Sequence, residues 1–186
     1  MRTTRVVTIS PTHPLPEVIQ EAAVILRQGG TVAFPTETVY GLGADAMNPH
    51  AVRKVFEAKG RPSDNPLIVH IADEEQLSEF AEEIPPIAKQ LISKFWPGPL
   101  TLVLKAAAIV PEEVTAGLET VAVRMPDHNV ALQLIRELGS GIVGPSANAS
   151  GRPSPTQAQH VLDDLKGKVD MILDAGTTMI GLESTV

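Results

Sequence analysis

The chain has 186 residues, of which 43% are hydrophobic and 20% charged, with a net charge of −7 and no cysteine. That balance suits one globular domain with a buried core and argues against a disordered chain. The absence of cysteine removes disulfides, thiolate nucleophiles and cysteine-ligated zinc, and the acidic balance argues against a broad nucleic-acid surface.

Residues 1–10 are polar and β-branched, without the apolar stretch of a secretory signal, and no apolar run reaches the length of a membrane span. A soluble cytoplasmic protein is the expectation. Val18, Ile19, Ala22, Ala23 and Leu26 then recur at helical spacing until Gly29-Gly30, which predicts a helix over 16–28. A short strand over 31–34 ends at Pro35. Residues 36–43 read as a polar, then glycine-rich segment. Pro49 opens a second helix over 49–58 with Val52, Val55 and Phe56 inward.

Residues 59–66 form a loop stiffened by Pro62 and Pro66, followed by a strand over 67–71. Helices are expected over 74–80 and 86–95, with a rigid turn at Trp96-Pro97-Gly98-Pro99. Strands follow over 100–105 and 120–124, and an amphipathic helix over 129–138 stops at Gly139. A strand over 142–144 leads into a loop rich in Ser, Asn, Gly and Pro over 145–155. Thr156 then caps a helix to about residue 165, and a strand runs over 169–173. Strands alternating with helices predict an α/β domain with a largely buried sheet, some of whose middle strands pair antiparallel. Residues 181–186 read as a turn entering a strand, so the chain is expected to be cut from something longer.

Several familiar patterns fail on context. Gly41-Leu42-Gly43-Ala44-Asp45-Ala46 matches G-x-G-x-x-G/A, but Pro49 starts the next helix too late to aim N–H groups at a pyrophosphate. The span from Gly139 to Ser146 has Walker spacing with Pro145 where lysine is required. Gly144-Pro145-Ser146-Ala147-Asn148 misses the second glycine of a nucleophile elbow. His13, His50, His70, His128 and His160 show no metal-ligand spacing, so no metal held by protein side chains is expected. Asn148-Ala149-Ser150 is a glycosylation sequon without a secretory signal.

Three polar segments remain, each of which reads equally as a capped or solvated turn. Pro35-Thr36-Glu37-Thr38 offers hydroxyls to a small polar ligand. The loop from Lys59 to Pro66 carries a compact cation at Lys59 and a planar fork at Arg61, both suited to phosphate. Residues 146–156 place hydroxyls, an amide and a guanidinium ahead of a helix N-terminus, where anions are favoured.

Taken in order, Pro35-Thr36-Glu37-Thr38-Val39-Tyr40-Gly41-Leu42, Lys59-Gly60-Arg61-Pro62, Asn65-Pro66-Leu67, Trp96-Pro97-Gly98-Pro99-Leu100-Thr101, Val123-Arg124-Met125-Pro126 and Pro145-Ser146-Ala147-Asn148 resemble the YrdC family of L-threonylcarbamoyladenylate synthases. The resemblance runs from about Pro16 to Val186. It implies a single YrdC-like domain over 1–186, with a twisted mixed parallel/antiparallel sheet flanked by helices. The implied reaction joins L-threonine, bicarbonate (or CO2) and ATP with Mg2+ into threonylcarbamoyl-AMP and pyrophosphate, for adenosine modification in tRNA.

By the same resemblance, Lys59, Arg61 and Asn65 contact ATP, with Lys59 and Arg61 carrying the catalytic charge. Thr120, Asn148 and Thr156 lie near nucleotide or phosphate. Thr36 or Thr38, His70, Arg124, Ser146 and Ser184 line the threonine pocket, with Arg124 paired to the carboxylate. A tRNA or a downstream threonylcarbamoyl-transfer complex is the implied partner. Longer members continue into a second domain, absent from this chain. Two other classes compete: an RNA-binding module using Arg53, Lys54, Lys59 and Arg61, against which the net charge argues, and a carbamoyl-transfer domain of the hydrogenase-maturation type.

Overall fold

A computed structural model describes residues 3–186. Its strands are β1 (Arg5–Thr8), β2 (Val32–Pro35), β3 (Tyr40–Asp45), β4 (Ile68–His70), β5 (Leu102–Lys105), β6 (Thr120–Arg124), β7 (Ile142–Val143) and β8 (Met171–Asp174). Its helices are α1 (Pro16–Arg27), α2 (Pro49–Lys59), α3 (Leu77–Phe80), α4 (Pro86–Phe95), α5 (Glu112–Thr115), α6 (Asn129–Leu138) and α7 (Ala158–Leu165). The strands form one mixed sheet in the order β1-β8-β2-β3-β7-β4-β6-β5. β8 runs parallel to β1 and β2, and β4 runs parallel to β6; β3, β7 and β5 pair antiparallel with their neighbours.

Side-chain alternation divides the core between the two faces of the sheet. Val32, Phe34, Met171 and Leu173 meet the apolar stripes of α1 and α6 on one face. Ala33, Leu42, Ala44 and Ile172 meet α2 and α7 on the other. A strand buried on both faces loses the polar alternation of a half-exposed one, which is why these segments read as short apolar runs.

The glycine-rich segment, to which the sequence reading assigned no element, is a central strand. In β3, Tyr40, Leu42 and Ala44 enter one core, and Gly41 and Gly43 lie against Phe34 on the other side. A Cβ on Gly43 would stand 2.8 Å from the Val32 carbonyl oxygen and 3.1 Å from the Phe34 ring. The glycines therefore permit close strand approach.

Other elements differ more modestly from expectation. The helix expected over 74–80 divides into a 3-10 turn (Glu74–Gln76) and α3, because the Gln76 side chain accepts from the backbone N–H groups of Ala72 and Asp73. Helix α7 starts at Ala158 behind Gln157, so Thr156 does not cap it; the Thr156 carbonyl instead accepts from Thr178 N–H at 3.0 Å. β1 and α5 escape sequence reading because one is a mostly exposed edge strand and the other a single turn.

This topology gathers the polar segments. Parallel pairing of β4 and β6 sets His70 level with Arg124 at their C-terminal ends. The β2–β3 turn and the loop after β7 meet them there, since Leu42 N–H donates to Pro145 O and Ala147 N–H to Tyr40 O. Gly43→Ala should cost about 1–3 kcal/mol through overpacking. It should lower Tm by roughly 2–4 °C per kcal/mol. Urea titration reads the loss, and wild-type stability would remove the close-approach explanation.

Candidate functional site

The turn between β2 and β3 sorts its two threonines by role. The Thr36 hydroxyl accepts from the N–H groups of Thr38 and Val39, each at 3.2 Å, and donates to Val39 O at 2.7 Å. Its capacity is spent inside the turn. Thr38 turns its hydroxyl to Arg124, 3.2 Å from Nη1, and lines a cavity of ≈ 220 Å³ that Thr36 does not reach.

Arg124 is the buried centre of that cavity wall. Its Nε–H donates to Gly98 O at 3.1 Å, Nη1 to Thr38, and Nη2 to Glu37 Oε1 at 2.5 Å. The Glu37–Arg124 ion pair is about 95% shielded on both sides (side-chain exposure 5% and 4%). His70 stands beside it, edge-on to Phe34 with ring centroids 5.8 Å apart. Burial, reinforced by the Arg124 charge, pushes the imidazole down to about 3, so it is neutral at physiological pH. Its Nδ1 is buried with no hydrogen-bond partner among the described residues. Gly144 makes room for the ring, since a Cβ there would lie 2.7 Å from Nδ1.

Ser146, Ser184 and Arg61 add to the polar lining, and Val39, Leu67 and Ile68 supply apolar surface. The Ser184 hydroxyl lies 3.1 Å from that of Thr101. The volume suits a small metabolite rather than a whole nucleotide.

Lys59 is not a loop residue. It ends α2 and is buried, and Gly60 in the left-handed conformation (φ 61°) turns the chain away. Its ammonium donates to the carbonyl of Ser146, to Asn148 O at 2.8 Å and to Asn148 Oδ1 at 3.4 Å. Burial, then the neighbouring Arg61 charge, pushes it down to about 8. Asn148 holds the same loop from within, donating to Ala149 O at 3.1 Å and Arg152 O at 2.7 Å. Arg61 is more open: it lies 5.9 Å from the Phe56 ring centroid, and burial lowers its pKa.

The remaining expected positions lie outside the cavity wall. Asn65 is exposed and offers its carbonyl to Arg61 at 3.4 Å. Thr120 opens β6 two residues before Ala122, the register partner of the wall residue Ile68. Thr156 lines a wider depression of ≈ 670 Å³ together with Arg152, Ser154, His160 and Asp164. A 2.5 Å hydrogen bond from Ser154 to Glu183 joins a residue of the wide depression to one of the small cavity. Sequence reasoning passed over Glu37, whose signal was an acid between two threonines at a strand end. It also passed over Tyr40, whose hydroxyl donates to Gly176 O at 2.7 Å and pins the chain after β8.

Among the described residues no group of three His, Asp or Glu is disposed to hold a metal, and no helix is long and apolar enough to cross a membrane.

Residues 24–186 match the Sua5_yciO_yrdC family, described as "Telomere recombination". A threonylcarbamoyl-AMP synthase of Pyrococcus abyssi is 59% identical over 168 residues, covering 90% of this chain and 49% of that protein. One from Bacillus subtilis is 62% identical over 170 residues, again covering 90% and 49%. The chain thus spans about half the length of these curated relatives. The crystal structure of P. abyssi Sua5 complexed with L-threonine superposes with a TM-score of 0.95 at 55% identity, over 97% of this chain and 53% of that one. Profile, sequence and fold agree, and the chain belongs to the Sua5/YciO/YrdC family.

Proposed function

We propose that this chain is the catalytic domain of a threonylcarbamoyl-AMP synthase. The observation that carries the reading is the small cavity lined by a buried guanidinium, Arg124, by the hydroxyl residues Thr38, Ser146 and Ser184, and by a second guanidinium, Arg61. A guanidinium suits the carboxylate of an amino acid, the hydroxyls suit its other polar groups, and Arg61 suits a phosphate. The similarity to a protein crystallised with L-threonine supports the same ligand here.

In the proposed reaction the threonine amine attacks CO2 (or bicarbonate, losing water) and sheds a proton, forming a carbamate. A carbamate oxygen then bonds to the α-phosphorus of ATP, the bond from that phosphorus to the bridging oxygen breaks, and pyrophosphate leaves. ATP enters as its Mg2+ complex. Arg61 and Lys59 offset phosphate charge, Asn65, Thr120, Asn148 and Thr156 lie on the nucleotide side, and Arg124 and Thr38 fix the amino acid. Catalysis of this kind is positioning and charge compensation rather than acid–base relay. Neutral His70 contributes shape and polarity without charge. The product would pass to a downstream transfer complex acting on tRNA, which makes the cytoplasm the proposed compartment.

The RNA-binding alternative loses its patch. Arg53 pairs with Glu113, Lys54 donates to Gly29 O, and Lys59 is buried. The carbamoyl-transfer alternative has no support from the names of the curated relatives.

The chain incubated with L-threonine, MgATP and bicarbonate should release pyrophosphate in a threonine-dependent way; none from a folded, ATP-binding sample would refute the reading. Arg61→Ala should lower kcat/KM for ATP by about tenfold to a hundredfold, as loss of a charge-assisted hydrogen bond does. Its Tm should hardly move, because the Arg61 side chain hydrogen-bonds the exposed Asn65 carbonyl and only overlies the Phe56 ring.

Lys59 makes a pH prediction with a defined sign. Its folded value of about 8 lies below the ordinary 10.5, so the ammonium is charged below pH 8 and loses its proton as pH rises through that value. Between those two values the unfolded chain binds more protons, so this group makes stability rise with pH there. Nucleotide phosphate favours the charged form, so ATP binding above pH 8 should draw in a proton. Calorimetry in two buffers of different ionisation enthalpy at pH 8.5 measures that uptake, which Lys59→Arg should abolish.

A further inference from the structure

The contacts of Arg124 leave an asymmetry. Three of its five N–H groups have partners among the described residues: Nε–H on Gly98 O, one on Nη1 towards Thr38, and one on Nη2 towards Glu37 Oε1. One N–H on each terminal nitrogen remains, on a side chain that lines the cavity. The second oxygen of Glu37 is buried with no hydrogen-bond partner among the described residues. Two carboxylate oxygens on one guanidinium are the common strong arrangement, and an unpaired buried oxygen is disfavoured. Glu37 forgoes the first and tolerates the second.

Glu37 is also anchored by its backbone. It directly precedes Thr38, and its carbonyl accepts from Ile180 N–H at 2.9 Å while that of Thr38 accepts from Gly181 N–H at 3.0 Å. The side chain therefore starts from a fixed backbone and is buried, with its carboxylate on the guanidinium and not on the cavity wall.

We propose that Glu37 is the positioning residue of the amino-acid pocket: it grips a single N–H of Arg124 and so orients the guanidinium with its other terminal N–H groups open to an incoming α-carboxylate. This rests on the proposed use of the cavity for threonine. The role is one of reach. For threonine binding, an oxygen acceptor at the end of a glutamate-length side chain is needed, and its charge is not. The negative charge works against the incoming carboxylate and serves to balance the buried cation while the cavity holds no amino acid.

Reach and charge separate in two conservative variants. Glu37→Gln keeps an oxygen at the same distance and removes the charge. Glu37→Asp keeps the charge and is one methylene short. Calorimetric titration with L-threonine should show Glu37→Gln binding at least as tightly as wild type, because an unbalanced guanidinium gains more from the ligand. Glu37→Asp should bind at least about tenfold more weakly, the scale of one hydrogen bond to a charged group. ATP affinity, titrated separately, should stay within twofold in both, which a general disturbance of the fold would not allow. Weak threonine binding by Glu37→Gln, wild-type binding by Glu37→Asp, or parallel loss of ATP overturns the proposal. If wild type itself does not bind L-threonine, the functional reading falls and this one with it. If wild type binds and the variants break the pattern, only the role of Glu37 falls.

Discussion

A guanidinium without solvent must find its partners inside the protein, and Arg124 finds them on segments far apart in the chain. The Gly98 carbonyl comes from the turn after α4, Glu37 and Thr38 come from the turn between β2 and β3, and Arg124 itself ends β6. An unpaired charge at that depth would be strongly destabilising, so these segments are held in one arrangement. Much of the site follows from it. Parallel pairing sets His70 level with Arg124, and the threonine turn, fixed from below, carries residues 180–181 on its carbonyls and with them the approach to Ser184.

A second buried cation, Lys59, does comparable work on the loop after β7. Lys59 sits in the last turn of α2, where a cation is favoured by the helix dipole, but its ammonium is directed to the loop that bears Ser146 and Asn148. Burial weakens its hold on its proton, and the loss of hydration is offset by carbonyl oxygens. Arg61, two residues on and past the left-handed glycine, keeps part of its guanidinium exposed at the cavity wall. Of the two cations one holds the loop and the other lines the cavity, and burial, then the repulsion between them, lowers the affinity of Lys59 for its proton.

The two depressions differ in kind. The small one is lined by buried Thr38, His70 and Arg124 together with the more open Arg61, Ser146, Glu183 and Ser184, a mixture of cations, an anion and hydroxyls that suits a zwitterion of modest size. The wide one, at Arg152 and Thr156, is open and shallow in its chemistry, with acidic Asp163 and Asp164 on its wall. Ser154 and Glu183 bond at their junction. A reaction that joins an amino acid to a nucleotide needs adjacent sites of unequal size, and the loop after β7 supplies walls to both.

Local patterns in the chain were enough for the α/β class and for helices α1, α2, α4 and α6, because each has an apolar stripe bounded by proline or glycine. The polar segments were visible for a similar reason: hydroxyls, amides and cations collect where strands end. What local patterns do not carry is the partner of a buried group. Gly41 and Gly43 gave no sign of a strand because the ring of Phe34, which they accommodate, belongs to the neighbouring strand. Lys59 looked like a solvated phosphate ligand because its acceptors lie almost ninety residues away (|i−j| of 87 and 89). Thr36 and Thr38 were equivalent until folding turned one hydroxyl into its own turn and the other towards Arg124. Residue types and spacing state which groups can bind; burial and long-range pairing choose which of them remain available to do so.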